Sequence, residues 1–217
     1  GKEAVIRLGE ATAVVVGLGG VGSFAFEALV RVGVGHMVII DHDVVEMSNL
    51  NRQLVAQSST LGKPKVEVAK AHALDINPNI DITANQVFLT RANAAQMIPD
   101  DADIIIDAID SVNAKVELIV YAKEKGIPIL SSMGTANKTD PTKLGLSDIY
   151  KTSVDPLAKV MRKRLKDAGI EELSVVYSTE VPKTHNQDKT ALGSVPYVPS
   201  VAGLILAGKA VEILTKD

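Results

Sequence analysis

This 217-residue sequence contains no cysteine and no tryptophan. Without cysteine there is no disulfide, no thiolate zinc site, and no thioester or persulfide that the protein itself could carry. Three phenylalanines and four tyrosines leave the core to aliphatic side chains. Positive charge is not in excess either. The formal net charge of −3 excludes a globally basic nucleic-acid binder but allows a local basic patch. Long uninterrupted apolar runs are missing. The stretch Val201–Leu214 comes nearest, but it holds Lys209 and Glu212 and reads as a core helix, not a membrane anchor. With no signal-peptide pattern, the expected location is the cytoplasm, with no membrane partner. His36, His42, His72 and His185 show no metal-ligand spacing. Of these, only His185, in a long polar loop, is a candidate to touch a substrate.

What the sequence does have is Gly17-Leu18-Gly19-Gly20-Val21-Gly22. The β-forming run Ala13–Val16 leads into it, and a helical pattern with Phe24, Leu29 and Val32 follows. Strand, glycine turn and helix form the setting of a nucleotide fingerprint. Bare backbone N–H groups there can approach a phosphate at the positive end of a helix. A second strand, Met37–Ile40, ends in Asp41, where a ribose-binding carboxylate sits in such folds. A turn cap is the plainer reading of Asp41.

Strand patterns fall near Ala13–Gly17, Met37–Asp41, Ile80–Phe88, Asp103–Asp107 and Ile127–Ser131. They alternate with helical patterns at Gly20–Val32, Pro64–Ile76, Arg91–Met97 and Val112–Lys125. Continuous apolar strands of this kind belong to a parallel sheet covered on both faces. Farther on come a strand at Lys143–Ile149, a helix opened by Asp155-Pro156 and closed at Gly169, and a strand at Ser174–Ser178. In that helix Leu157, Val160, Met161 and Leu165 form the expected apolar stripe, with Lys159, Arg162, Lys163 and Lys166 on one basic face. Residues 181–199 read as a long loop, expected to be mobile and near the site. The expected architecture is one α/β domain over residues 1–217 with a Rossmann-like, mostly parallel, doubly wound sheet. Within it, 1–135 is the nucleotide-binding core, and 136–217 adds strands, a substrate region and a C-terminal helix.

Asn49-Leu50-Asn51-Arg52-Gln53, Lys65 and the pair Asp107 and Asp110 make the nucleotide site specific. Binding NAD gives an arginine, a lysine and a second carboxylate pair no task. Cleaving ATP between the α- and β-phosphates does, because charge grows on the departing pyrophosphate and Mg²⁺ usually helps to carry it. Gly17, Gly19, Gly20, Gly22, Asp41, Asn49, Arg52 and Lys65 are therefore candidate ATP contacts. Arg52, Lys65 and Asp110 are candidate catalytic residues, and Asp110 is the candidate metal ligand. Asp107 is as well explained by a structural role, and Thr179-Glu180 by either a site or a structural role.

Together the glycine motif, Asp41, Arg52, Lys65 and Asp107–Asp110 resemble the adenylyltransferase superfamily. It includes the ubiquitin-activating enzymes and the bacterial enzymes that activate sulfur-carrier proteins for thiamine and molybdopterin synthesis. Asp140-Pro141-Thr142, Lys151–Leu157, the basic helix and Tyr177–Glu180 look like its tRNA threonylcarbamoyladenosine dehydratase branch. That resemblance implies a homodimer acting on tRNA, with ATP and Mg²⁺. The implied reaction is adenylation of the substrate carboxylate at tRNA position 37, followed by ring closure with release of AMP and pyrophosphate. The C-terminal helix, through Leu204, Leu206 and Ile213, could contribute to the dimer or simply cover its own sheet. The family's arginine ahead of the domain has only Arg7 as a counterpart, so the usual N-terminal segment is expected to be trimmed. Activation of a sulfur-carrier or ubiquitin-like protein is the alternative, disfavoured by the missing cysteines. An NAD-dependent dehydrogenase and a nucleotide-binding module without catalysis are the other readings.

Overall fold

A computed structural model of the chain describes residues 1–183 and 193–216. His185 and the middle of the long polar loop lie outside the described residues. Seven strands form one sheet: β1 (Thr12–Val16), β2 (His36–Ile40), β3 (Asp81–Asn85), β4 (Ile104–Asp107), β5 (Ile129–Ser132), β6 (Leu144–Asp148) and β7 (Ser174–Ser178). Their order is β3-β2-β1-β4-β5-β7-β6. Every neighbouring pair is parallel except β6–β7, where β6 runs antiparallel along the edge. The order reverses between β1 and β4, the switch point at which open α/β sheets place a crevice beyond their strand ends.

Alternation along the central strands serves two cores. Ala13, Val15, Ile104 and Ile106 pack on one face with α1 (Lys2–Glu10), α2 (Gly22–Val32), α3 (Lys65–Ile76) and α7 (Tyr197–Leu214). Val14, Val16 and Ile105 pack on the other with α4 (Arg91–Met97), α5 (Val112–Lys125) and α6 (Pro156–Asp167). Both faces being covered explains why the central positions of these strands, Ala13–Val16 and Ile104–Ile106, are apolar whichever way they face. Gly33 and Gly126, in left-handed geometry, close α2 and α5.

Three expectations need correction. The third strand stops at Asn85, well short of Phe88, because Asn93 stands at the head of α4. Its side chain accepts from Thr90 N at 2.8 Å and donates to Phe88 O at 3.0 Å, pulling the chain off the sheet. Val160 leaves the expected apolar stripe: it is 46% exposed, and α6 buries Ala158, Met161 and Leu165 instead. Arg162 is only half-buried on the basic face, since its guanidinium bonds Thr152 O at 3.1 Å.

The C-terminal helix covers its own sheet. It starts at Tyr197, ahead of the expected Val201, with Pro199 tolerated in its first turn. A Cβ on Gly203 would stand 2.3 Å from Val21 O, so glycine there lets α7 lie directly on α2. By length and composition α7 could cross a membrane, but Val198, Ala202, Leu206 and Ala210 are buried in this fold. Leu206 is thus taken by its own core, Ile213 is partly buried, and Leu204 stays 49% exposed. Arg7 donates to Thr215 O and Lys216 O at 3.2 and 2.9 Å, placing a cation at the negative end of α7.

Candidate active site at the sheet's switch point

A cavity of about 600 Å³ opens at the carboxyl ends of the parallel strands. Gly17, Gly19, Gly20, Asp41, Asn49, Arg52, Lys65 and Asp110 all line it, so residues far apart in sequence converge where the fold places a ligand. Gly22 does not line it. Its ideal Cβ would stand 1.7 Å from Gly17 O, so Gly22 permits packing of α2 against the turn. Gly17, at φ +89°, faces Ala108 O in the same way. A Cβ on Gly19 would meet nothing closer than Gln53 Nε2 at 3.9 Å. Packing gives no reason for a glycine there, whereas close approach of a ligand to bare backbone does.

Asp41 holds the turn itself. Its carboxylate accepts from Leu18 N at 2.6 Å and Asp43 N at 2.8 Å, so capping and cavity lining coexist in one residue. Lys65 lies almost fully buried and donates to Asp43 Oδ2 at 2.7 Å. Asp43 was not among the sequence candidates, although it stands only two residues beyond Asp41. Asn49 accepts from Glu46 N at 3.0 Å, closing the short turn that carries Arg52 to the cavity. The Arg52 guanidinium donates to Ser48 O at 2.7 Å and Asn51 Oδ1 at 3.0 Å.

The two aspartates after β4 separate cleanly. Asp107 is fully buried and off the cavity wall, bonded to Lys115 Nζ at 2.7 Å and Ser131 Oγ at 2.6 Å. Its role is structural. Asp110 is exposed on the wall, with no hydrogen bond or ion pair among the described residues. Sequence reasoning assigned no role to Gln53, yet it lines the cavity, and its Oε1 is sealed from solvent with no donor among the described residues. Only its position beside Arg52 hinted at this.

The cavity continues past Gly20 and Asp110 toward β5. Met133, Gly134, Thr135, Ala136, Asn137, Lys138, Asp155, Pro156 and Leu157 wall that end. Asp155 caps α6 as expected, accepting from Ala158 N at 2.8 Å, and also pairs with buried Lys138. Glu180 braces the same turn from behind, accepting from Asp140 N at 2.8 Å and Thr139 N at 3.0 Å. Chiefly the Asp140 N–H bond, with Thr139 and Lys183 adding to it, holds the Glu180 carboxyl below the usual range against the opposing effect of burial. Thr179 N donates to Lys143 O at 3.0 Å. Neither Thr179 nor Glu180 lines the cavity, and both are structural.

The ThiF family model matches residues 1–217. The tRNA threonylcarbamoyladenosine dehydratase of Bacillus subtilis (strain 168) is 42% identical over 233 residues, spanning 100% of this chain and 92% of that protein. The Escherichia coli (strain K12) dehydratase is 40% identical over 188 residues, 83% of this chain and 70% of that protein. The crystal structure of the E. coli enzyme in complex with ATP superposes with a TM-score of 0.92 at 35% identity, covering 99% of this chain and 89% of that one. Its complex with AMP gives a TM-score of 0.93 with the same identity and coverage. With the glycine turn, Asp41, Arg52, Lys65 and Asp110 gathered at one switch-point cavity and the family model matched from end to end, the chain belongs to the ThiF family.

Proposed function

We propose that this protein is an ATP-dependent tRNA threonylcarbamoyladenosine dehydratase. The observation that carries the reading is the full-length likeness to the Bacillus dehydratase. ATP lies with its phosphates over Gly17–Gly20 and its ribose against Asp41. The threonyl carboxylate of the modified adenosine attacks the α-phosphorus, the bond to the bridging oxygen breaks, and pyrophosphate leaves. Arg52 and Lys65 answer the charge that grows on it. The substrate's own carbamoyl group then attacks the acyl carbon, the ring closes, one proton is lost and AMP departs. Intramolecular attack has an effective molarity of roughly 10⁵ M or more, so no protein nucleophile is required. This agrees with a chain free of cysteine.

The residues present fit Mg²⁺. Its sites commonly combine one or two carboxylates with substrate phosphates, and Asp110 offers an uncommitted carboxylate on the wall. When bound, the ion would neutralise charge on the phosphates of ATP.

The deciding experiment measures pyrophosphate release from ATP with tRNA bearing threonylcarbamoyladenosine, with a sulfur-carrier protein, and with neither. Release that depends on the modified tRNA is expected, together with AMP and the cyclised nucleoside. Release that depends on the carrier protein alone overturns the reading.

We also infer a homodimer. Since Leu206 is committed to its own core, Tyr197 and Leu204 are the exposed large apolar residues that α7 can offer. Light scattering at micromolar concentration is expected to give twice the chain mass, reduced toward one chain by Leu204→Glu. A monomeric parent refutes the dimer.

A further inference from the structure

The two ends of the cavity differ in charge. Beyond β2 and β4, at the sheet's switch point, Arg52 and Asp110 stand at the wall with their charges open to a ligand. Toward β5, the charges among the described residues are already spent. Lys138 is buried, and its ammonium is held by Gly134 O at 2.5 Å and by the Asp155 carboxylate. Drawing Lys138 onto a ligand phosphate would leave Asp155 buried without its partner, a costly state. Among the described residues, the rest of that wall is backbone, the uncharged Thr135 and Asn137, and the apolar Met133, Ala136, Leu157 and Pro182. This end suits an uncharged, flat group whose edges find backbone partners.

Free cations appear just outside. Pro156 and Leu157, the first residues of α6, belong to the wall. Farther along the same helix Lys159, Lys163 and Lys166 are exposed, spread over ~10 Å of helix. One carboxylate ties the two regions together, since Asp155 neutralises the wall lysine and caps the helix. It follows Val154, a β-branched residue at φ +51°, a costly backbone conformation that surrounding structure must impose. The turn is held from the other side too. Asn137 N donates to Gly193 O at 2.8 Å, and Asn137 O accepts from Lys183 N at 2.7 Å.

We propose that the β5 end of the cavity is the receptor for the uncharged base of the substrate nucleoside, held in shape by the Lys138–Asp155 pair, while Lys159, Lys163 and Lys166 take the flanking phosphodiesters. The proposal rests on the tRNA reading above and deepens it. It requires the modified nucleotide to leave its stack and enter alone, as enzymes acting on bases generally demand. Lys138 and Asp155 are positioning residues here, with no contact to the reacting atoms.

Two sets of variants test this, each assayed with modified tRNA, with free threonylcarbamoyladenosine, and for ATP affinity. Ala136→Phe fills the receptor. It is expected to raise KM about tenfold or more for both the tRNA and the free nucleoside, leaving ATP affinity within about twofold. Leu157→Phe narrows the same wall from α6 and is expected to act alike, which guards against one variant misfolding. Lys159→Glu with Lys163→Glu is expected to raise KM for tRNA alone and to lower its salt slope by roughly two units, one per lost contact. Asp155→Asn keeps a capping oxygen but leaves Lys138 unpaired. Its nucleoside KM is expected to rise while ATP affinity stays within about twofold, a split that a general loss of stability would not produce. If the parent releases no pyrophosphate with modified tRNA, the function and this inference fail together. If the parent is active and both wall variants keep the parental nucleoside KM, or lose ATP affinity equally, the receptor alone is refuted.

Discussion

The Lys115 ammonium meets the Asp107 carboxylate at 2.7 Å, and neither side chain has any exposed surface. The pair ties the first turns of α5 to the end of β4, and Ser131 on β5 completes it at 2.6 Å from Asp107. Lys115→Met would leave that carboxylate buried without its cation, at a cost of about 3–5 kcal/mol. Urea unfolding is expected to show this loss, and Lys115→Met with Asp107→Asn together should recover part of it. An unchanged unfolding midpoint in the single variant would contradict the structural role of Asp107.

Asp110 and Arg52 are expected to behave in the opposite way. Both stand at the cavity wall outside the core, so Arg52→Ala and Asp110→Asn should leave unfolding nearly unchanged. Each should slow adenylation by about 10²-fold, the scale of losing one group that answers developing charge. Pyrophosphate exchange into ATP reads this step directly. Exchange at the parental rate would remove the residue from the mechanism, and a loss of Mg²⁺ dependence in Asp110→Asn would identify it as the ligand.

Gln53 lines the cavity beside Arg52, and its amide carbonyl is sealed from solvent with no donor among the described residues. A buried acceptor without a donor costs about 1–3 kcal/mol, whereas an apolar side chain of similar shape does not carry that penalty. Gln53→Met is therefore expected to unfold no earlier than the parent, while binding ATP about tenfold more weakly if the amide turns to meet the ligand on binding. Calorimetric titration with ATP checks this, and an unchanged affinity would show that the amide serves only the free protein.

The Glu180 carboxyl is held below its ordinary value of 4.5, mainly by the Asp140 N–H bond. A group lowered on folding stabilises the ionised native state. Its contribution is full above pH 4.5 and is lost as pH falls through the lower native value. Glu180→Gln is expected to lower stability at neutral pH and to flatten the decline below pH 4.5. Unfolding curves measured at several pH values give the comparison. Parallel declines in parent and variant would exclude Glu180 as a source of acid sensitivity.

The strand–turn–helix at Ala13–Val32, the alternation that follows it, and the caps at Asp155 and Gly169 were legible because each rests on neighbours in sequence. Periodicity, glycine geometry and an N-cap are local properties. Val160 was misread because a helical stripe is a matter of tens of degrees, and the packing of α6 rotated the buried face toward Ala158. The early end of β3 was hidden for a similar reason. Val87 and Phe88 have strand propensity, but the Asn93 side chain bends the chain away at Phe88.

Sequence alone determined the fold class and the gathering of Gly17, Asp41, Arg52 and Lys65 around one cavity, since spacing along a βαβ pattern dictates which strand ends meet. Tertiary structure alone decided which charges are free. The chain favoured Asp110 over Asp107 for the site without showing what either touches; in the fold Lys115 reaches Asp107 and nothing described reaches Asp110. It also brought Lys138 to Asp155 across 17 residues and turned Glu180 inward to the backbone of Thr139 and Asp140. The reason is physical. A charge is spent or available according to the partner and the solvent around it, and those are supplied by segments that only the folded sheet and helices bring together.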